Sequence, residues 1–403
     1  MKWLIPENEL DPQQREFRAE LLSDNLSNKF IEGFPGSGKT ILLLYAVKWL
    51  KEKNSDVKIV FIEFTHALID MLKAALKEMH MEDIPIMTYY DFDWRMRGCG
   101  IVWDYVMCDE VQDVPRRVLE DMVQHSNHVI IAGDPNQSIY GEDPKWRLPV
   151  CTRDDINEVV LNKSKTSESS FLHLNIMHRL TRRIVDAVDS FFPEMNIMSG
   201  KSSMMKTNTQ IRLWKCKDTL DETNHIMDTA IQAIRADYTA AILLPTHNLI
   251  ERFVSSIITN KGNCQYQIPK NGYGKPDYAK LNSYFKEHEM PIQYLGNNYG
   301  SLITPDNKIC LMTYHSSKGL DFDLVFLPFC DSYTCDDQLF MVAMTRSRQD
   351  LYISYNIELD YNSIRNDMNT FVDRFRDQCN FTDWSKEQNK QDTNNNAENL
   401  FGF

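Results

Sequence analysis

The segment GFPGSGKT, Gly33 to Thr40, matches G-x-x-x-x-G-K-[ST] and stands between the apolar run KFIEGF and the helical stretch KTILLLYAVKWLKEK. No other segment narrows the fold as much, because such a loop works only where a strand ends against the start of a helix. Its glycines let successive backbone N–H groups turn toward one point, and the helix N-terminus adds partial positive charge there. In that geometry Gly33, Pro35, Gly36, Ser37, Gly38, Lys39, Thr40 and Ile41 form a cradle for a polyphosphate. Lys39 reaches the β- and γ-phosphates, and Thr40 offers an oxygen to Mg²⁺.

The same alternation of apolar strand, loop and helix continues with VKIVFIEF before ALIDMLKAALKEM, then YVMCDE and HVIIAGD. Such a chain is α/β, a parallel sheet with helices on both faces. The pattern restarts after the polar stretch NKSKTSESS, with IRLWKC, AAILLP, KICLMTYHS, DLVFLPF and DLYISYN as later strands. Two α/β domains are therefore expected, residues 1–165 and 166–382, followed by a polar, Asn-rich tail, 383–403. The tail ends in ENLFGF, which reads either as a peptide that docks on a partner or as a segment with no such use.

Composition adds exclusions. With 403 residues, 42% hydrophobic, the chain can bury a large core. It has no apolar run of membrane-spanning length and no secretory pattern at its start, so a cytoplasmic location is the expectation. Nine cysteines without a Cys-x-x-Cys pair do not suggest a disulfide framework; Cys330 and Cys335 read as metal-touching or, more plainly, as buried thiols. The formal charge of −13 opposes indiscriminate coating of nucleic acid or anionic membrane, though not a locally basic groove.

A P-loop needs a second source of carboxylate for its metal, and YVMCDEVQD supplies Asp109 and Glu110 at the end of a strand. Asp109, with Thr40, is expected to hold the Mg²⁺ shell, and Glu110 to orient and deprotonate an attacking water. Hydrolysis fits this adjacency better than transfer to a small molecule. GDPNQSIY, Gly133 to Tyr140, is ordinary turn chemistry when taken alone.

From about residue 9 to 356 these segments resemble the superfamily 1 DNA helicases and translocases of the UvrD, Rep and PcrA type. ELDPQQREF is similar to the family's Q motif, which would put Gln14 on adenine. FIEFTHALIDML and IMTYYDF resemble DNA-contacting blocks, at Phe64, Thr65 and Thr88. DEVQD matches the DExQD form, and GDPNQSIY the sensor loop, with Gln137 toward the γ-phosphate and Tyr140 toward DNA. HRLTRRIV puts Arg179 on a γ-phosphate-contacting position, with His178 replacing an adenine-stacking tyrosine. LMTYHSSKGLDFDLVFLP places Thr313 and His315 against DNA, Gly319 on the phosphate side and Asp321 near the ribose. LFMVAMTRSRQDLYISY puts Arg346 on the arginine-finger position. The family's stacking Trp-Arg pair comes late here, as Trp146 and Arg147, and Trp146 also reads as a core aromatic.

The resemblance implies two RecA-like P-loop domains with ATP and Mg²⁺ in the cleft between them, and translocation along single-stranded DNA, 3′ to 5′. Between Thr88 and Asp109, and again between Arg179 and Thr313, there is little room for the family's accessory subdomains. A reduced motor of this kind is expected to work with a partner, plausibly a nuclease, in DNA repair or phage defence. In size and motif set it resembles the helicase-like subunits of anti-phage systems such as Gabija. Two other readings use the same residues: a nucleotide- and DNA-sensing subunit that regulates a partner, and a P-loop kinase, which the two arginine positions and the His315 block disfavour.

Overall fold

The computed structural model describes residues 4–23, 28–63, 66–135, 138, 141–143, 145–162, 169–191, 197, 201–204, 209–259, 266–296, 299–302, 307–330, 337–356 and 379–386. They fall into two compact units: Met1–Arg179 with Ser199–Ser203 and Gly296–Pro305, and Leu180–Met198 with Met204–Leu295 and Asp306–Phe403.

In the first unit the apolar runs become β1 (Asn28–Gly33), β2 (Ile59–Glu63), β3 (Ile86–Thr88), β4 (Trp103–Cys108), β5 (Ser126–Gly133) and β6 (Ser169–Leu174). They form one sheet in the order β3-β2-β4-β5-β1-β6, every pairing parallel. Side chains alternate across it. Ile31, Ile59, Phe61, Tyr105, Met107, Ile130 and Ala132 face a core with α1 (Pro12–Leu22), α2 (Lys39–Lys53) and α3 (His66–Glu78). Phe30, Val60, Ile62, Val106, Cys108, Val129 and Ile131 face a second core with α4 (Tyr89–Met96), α5 (Arg116–Gln124) and α6 (Arg153–Asn162). A sheet covered on both faces leaves apolar residues on every strand position, which is why these runs read as continuous rather than alternating.

A short two-stranded sheet follows, of β7 (Ile176–Thr181) and β8 (Lys201–Met204). The second unit's sheet has the order β11-β12-β10-β13-β14-β9-β15, again parallel throughout. Its strands are β9 (Ile211–Cys216), β10 (Ala240–Leu244), β11 (Ile292–Tyr294), β12 (Ile309–Thr313), β13 (Phe322–Leu327), β14 (Ser347–Asn356) and β15 (Asn380–Asp383). The helices are α7 (Arg182–Phe191), α8 (Thr219–Arg235), α9 (His247–Thr259), α10 (Tyr278–Glu287) and α11 (Asp337–Met344).

Two expectations about boundaries change. The first unit runs to Arg179, not 165, because β6 lies along β1 with six residues in register and makes β1 an interior strand of the sheet. At the other end, packing extends past 383: β15 lies along β9, and Trp384 stacks on His225 at 4.4 Å between centroids. Residues 387–403, with ENLFGF, lie outside the described residues.

The second unit is tied together by a buried carboxylate. Glu222 on α8 accepts hydrogen bonds from the Phe329 backbone N–H (2.8 Å), Ser354 Oγ (2.6 Å) and Asn356 Nδ2 (2.6 Å). It thereby joins the helix to the ends of β13 and β14. Glu222→Ala would leave three buried donors without this acceptor, each costing about 1–3 kcal/mol. The expected loss is about 3 kcal/mol or more in a urea melt, with Glu222→Gln milder because it keeps one acceptor oxygen.

Candidate nucleotide and nucleic-acid site

β1 ends at Gly33, and α2 begins at Lys39. Between them Gly36 and Gly38 are left-handed, with φ of +71° and +87°. A Cβ on Gly36 would fall 2.5 Å from the Cβ of Arg179, and one on Gly38 2.6 Å from Gln14 Nε2. Only glycine meets both demands, so the loop keeps its backbone bare. Lys39 Nζ donates to the carbonyls of Gly33 (2.7 Å) and Phe34 (3.2 Å), with no carboxylate bonded to it among the described residues. Ser37 and Pro35 are buried beneath the loop, and Ile41 packs its side chain into the core of α1 and α2.

The sheet order places β4 beside β5 and β5 beside β1, so Asp109, just after β4, lies on the same edge as the loop. Thr40 Oγ1 donates to Asp109 Oδ2 at 2.5 Å. Burial first, then the charge of Glu110, raises the Asp109 carboxyl above the ordinary carboxylate range, against the opposing pull of Thr40 and Lys39. A hydroxyl and a crowded carboxylate side by side are a donor pair that fits a hard divalent cation.

Glu110 has φ +51°, a left-handed backbone that few non-glycine residues adopt. Its Oε2 accepts from Gln112 Nε2 at 2.5 Å, and Gln112 Oε1 accepts from the Asp134 backbone N–H at 3.1 Å. One fully buried amide therefore connects Glu110 to the start of the loop after β5. Ser138 Oγ, in the same loop, reaches Gln112 O at 3.4 Å. Gln112 was missed as a functional residue; its only signal was the glutamine of the DEVQD string.

His178 and Arg179 were expected to come from the second domain; they lie in the first unit, against the loop itself. The His178 backbone N–H donates to Gly36 O at 2.8 Å, and its Nε2 lies 2.7 Å from Asp11 Oδ2. The physical reason is β6: by pairing with β1 it delivers the chain that follows directly onto the P-loop. Gln14, expected on adenine, stands directly behind the loop. With Asp11 it forms the capping box of α1, Nε2 donates to Ser37 O at 3.3 Å, and the side chain is fully buried. Here it braces the loop from behind.

Among the residues assigned to DNA, Thr88 caps α4, its hydroxyl accepting from the Asp91 N–H (3.1 Å) and donating to Asp91 Oδ2 (2.9 Å). Trp146 is half-buried, edge-on to Tyr90 (4.8 Å between centroids), with the Arg117 guanidinium over its ring at 4.8 Å. Its position is set by Asp143, a fully buried carboxylate that accepts from both Tyr89 and Tyr90 hydroxyls and from the Trp146 N–H. Phe64, Thr65, Gln137 and Tyr140 lie outside the described residues.

In the second unit, Thr313 ends β12 and its Oγ1 accepts from the Ser316 N–H at 3.1 Å, so His315 sits in a short turn at the strand's C-terminal end. Gly319 follows with φ +79°, and Asp321 lies 3.8 Å from Arg348. Arg346 is buried. Its guanidinium donates to Val342 O (2.7 Å), Leu320 O (3.2 Å) and Thr345 Oγ1 (3.0 Å), all within its own unit.

Two outcomes are expected from this geometry. Gln112→Ala removes the bridge between Glu110 and Asp134, so the buried Asp134 N–H loses this acceptor, and should lower stability by about 1–3 kcal/mol in a urea melt. Asp109→Asn relieves a buried like-charge pair, so it should raise the melting temperature of the chain. The sign follows from the raised folded-state affinity for protons. Wild-type Asp109 opposes folding at neutral pH and does so less as pH falls toward the ordinary carboxylate range near ~4, so the gap between wild type and variant should narrow on acidification.

Residues 292–358 match the UvrD-like helicase C-terminal domain, and residues 19–143 an AAA domain. A probable DNA helicase II homolog of Rickettsia conorii (strain ATCC VR-613 / Malish 7) is 28% identical over 120 residues, and one of Rickettsia felis (strain ATCC VR-1525 / URRWXCal2) is equally similar. These matches cover 25% of the chain and 17% of the relatives' length. Among solved structures, the Arterivirus nonstructural protein 10 helicase has a TM-score of 0.43 at 15% identity, covering 88% of this chain and 63% of that one. The PRRSV helicase has a TM-score of 0.43 at 16% identity, covering 86% and 56%.

Proposed function

We propose, from the matches of residues 292–358 to the UvrD-like helicase C-terminal domain and of residues 19–143 to an AAA domain, that the chain is a UvrD-like superfamily 1 helicase: an ATP-dependent translocase on single-stranded DNA, moving 3′ to 5′ and hydrolysing ATP to ADP and phosphate. The observation that carries the reading is the linked set at one sheet edge: bare P-loop, Thr40 on Asp109, and Glu110 held by Gln112 to the loop after β5. Thr40 and Asp109 would hold Mg²⁺, which supplies charge neutralisation on the phosphate oxygens when bound. The loop N–H groups and Lys39 bind and orient the triphosphate, and Arg179, against Gly36, adds positive charge on the same side.

Glu110 takes the proton of the attacking water, and Gln112 keeps that carboxylate at a fixed angle to the loop that carries Gln137 and leads on to Tyr140 and Trp146. A change at Glu110 is thus relayed toward DNA-facing residues. Gln14, His178 and Asp321 serve the nucleoside, Gly319 the phosphate side, and Phe64, Thr65, Thr88, Thr313 and His315 the strand. The partner would be a nuclease or other DNA-processing protein, in repair or phage defence. A second reading uses the same residues: a nucleotide- and DNA-sensing regulatory subunit that controls a partner nuclease, with little unwinding of its own.

Steady-state ATPase of the chain with and without single-stranded DNA separates the two. A motor gives sustained turnover that rises with DNA and disappears in Glu110→Gln while nucleotide binding persists. Binding without turnover, with or without DNA, would replace the motor by the regulator.

A further inference from the structure

The segment YQIPKNGYGKPD, residues 266–277, has no part in the reading above, yet it is held firmly. Lys270 bridges to Pro276, Asn271 N donates to Lys275 O (2.8 Å), Gly274 N to Asn271 O (2.9 Å), and Asp277 N to Pro269 O (2.7 Å). The Asn271 side chain accepts from the N–H groups of Tyr273 (2.9 Å) and Lys275 (3.1 Å). This well-bonded turn presents Tyr273 at its apex with 91% of its surface exposed.

Burying an aromatic is among the larger gains available to a fold, so a rigid turn that holds one in water is arranged for something outside the chain. The surroundings narrow what that is. Lys270 and Lys275 flank the apex, both exposed and without a carboxylate partner among the described residues, in a chain of net charge −13. Lys280 nearby is paired with Asp277 at 3.6 Å. At the foot of the turn opens a cavity of about 790 Å³ whose wall mixes polar side chains, Arg252, Ser255, Gln267, Lys270 and the acid Glu251, with the ring of Tyr266 and the apolar Ile268 and Pro269. No other large apolar side chain between 266 and 296 is exposed among the described residues, so an apolar protein surface would find little to cover. One free aromatic face, unpaired cations and a partly polar recess match a nucleotide of a single strand.

We propose that this turn is a contact for single-stranded DNA outside the motif blocks: one base stacks on Tyr273, Lys270 and Lys275 take the flanking phosphates, and the recess at the foot accepts the neighbouring nucleotide. The inference rests on the DNA reading of the preceding subsection. It is tested with the full chain and a fluorescent oligothymidylate by anisotropy across a salt series, beside DNA-free ATPase as a control for folding. Tyr273→Ala should weaken binding roughly 5- to 100-fold at fixed salt, and Tyr273→Trp should retain it. Lys270→Ala combined with Lys275→Ala should lower the salt slope by about 1.4. If the wild-type chain binds the oligonucleotide and all three variants match it, the turn is not a DNA contact and the wider reading stands. If the wild-type chain does not bind at all, both fail.

Discussion

The hydrogen bond from Thr40 to Asp109 joins the first turn of α2 to the end of β4, across the width of β5. It is available only because all strands of the sheet run in one direction and release their chain at one edge. Everything chemical in the first unit follows from that edge. The helix N-terminus, the bare glycine loop, the lysine and the two carboxylates are supplied by segments far apart in sequence, and the parallel register brings them within bonding reach.

Such a concentration of charge is costly to fold. Asp109 is buried beside Glu110, and the proton affinity of its carboxyl rises accordingly. The protein accepts that local destabilisation because a site built for cations and phosphate has to be electrostatically unbalanced without them. Hydrogen bonds fix the backbone around it: Gln112 joins Glu110 to Asp134, Gln14 donates to Ser37 O, and the His178 N–H donates to Gly36 O. The second unit uses the same device with Glu222, where a buried carboxylate gathers strand ends.

Much of this was legible in the order of residues. The P-loop, the acidic pair and the five later strands stand where their apolar runs and turn residues put them. What failed to show were features made by non-local pairing. SSFLHL, after a polar stretch, has no pattern that says which sheet it joins, so the boundary was set too early and His178 and Arg179 were assigned to the wrong unit. The same holds for Asp383 and Trp384, which read as the start of a tail and pack on β9 and His225 instead. Only folding shows that two tyrosine hydroxyls close on Asp143.

By itself, then, the amino-acid order determined the two α/β halves and the phosphate-binding chemistry, because strand, helix and loop preferences are local and the G-x-x-x-x-G-K-T spacing is short. Tertiary structure decided which residues lie against that loop and what they bond. It turned Gln14 inward to brace the loop, set Arg179 against Gly36, gave Gln112 the link between Glu110 and Asp134, and engaged Arg346 within its own unit. Those outcomes depend on which strands lie side by side, a long-range choice that no local preference encodes.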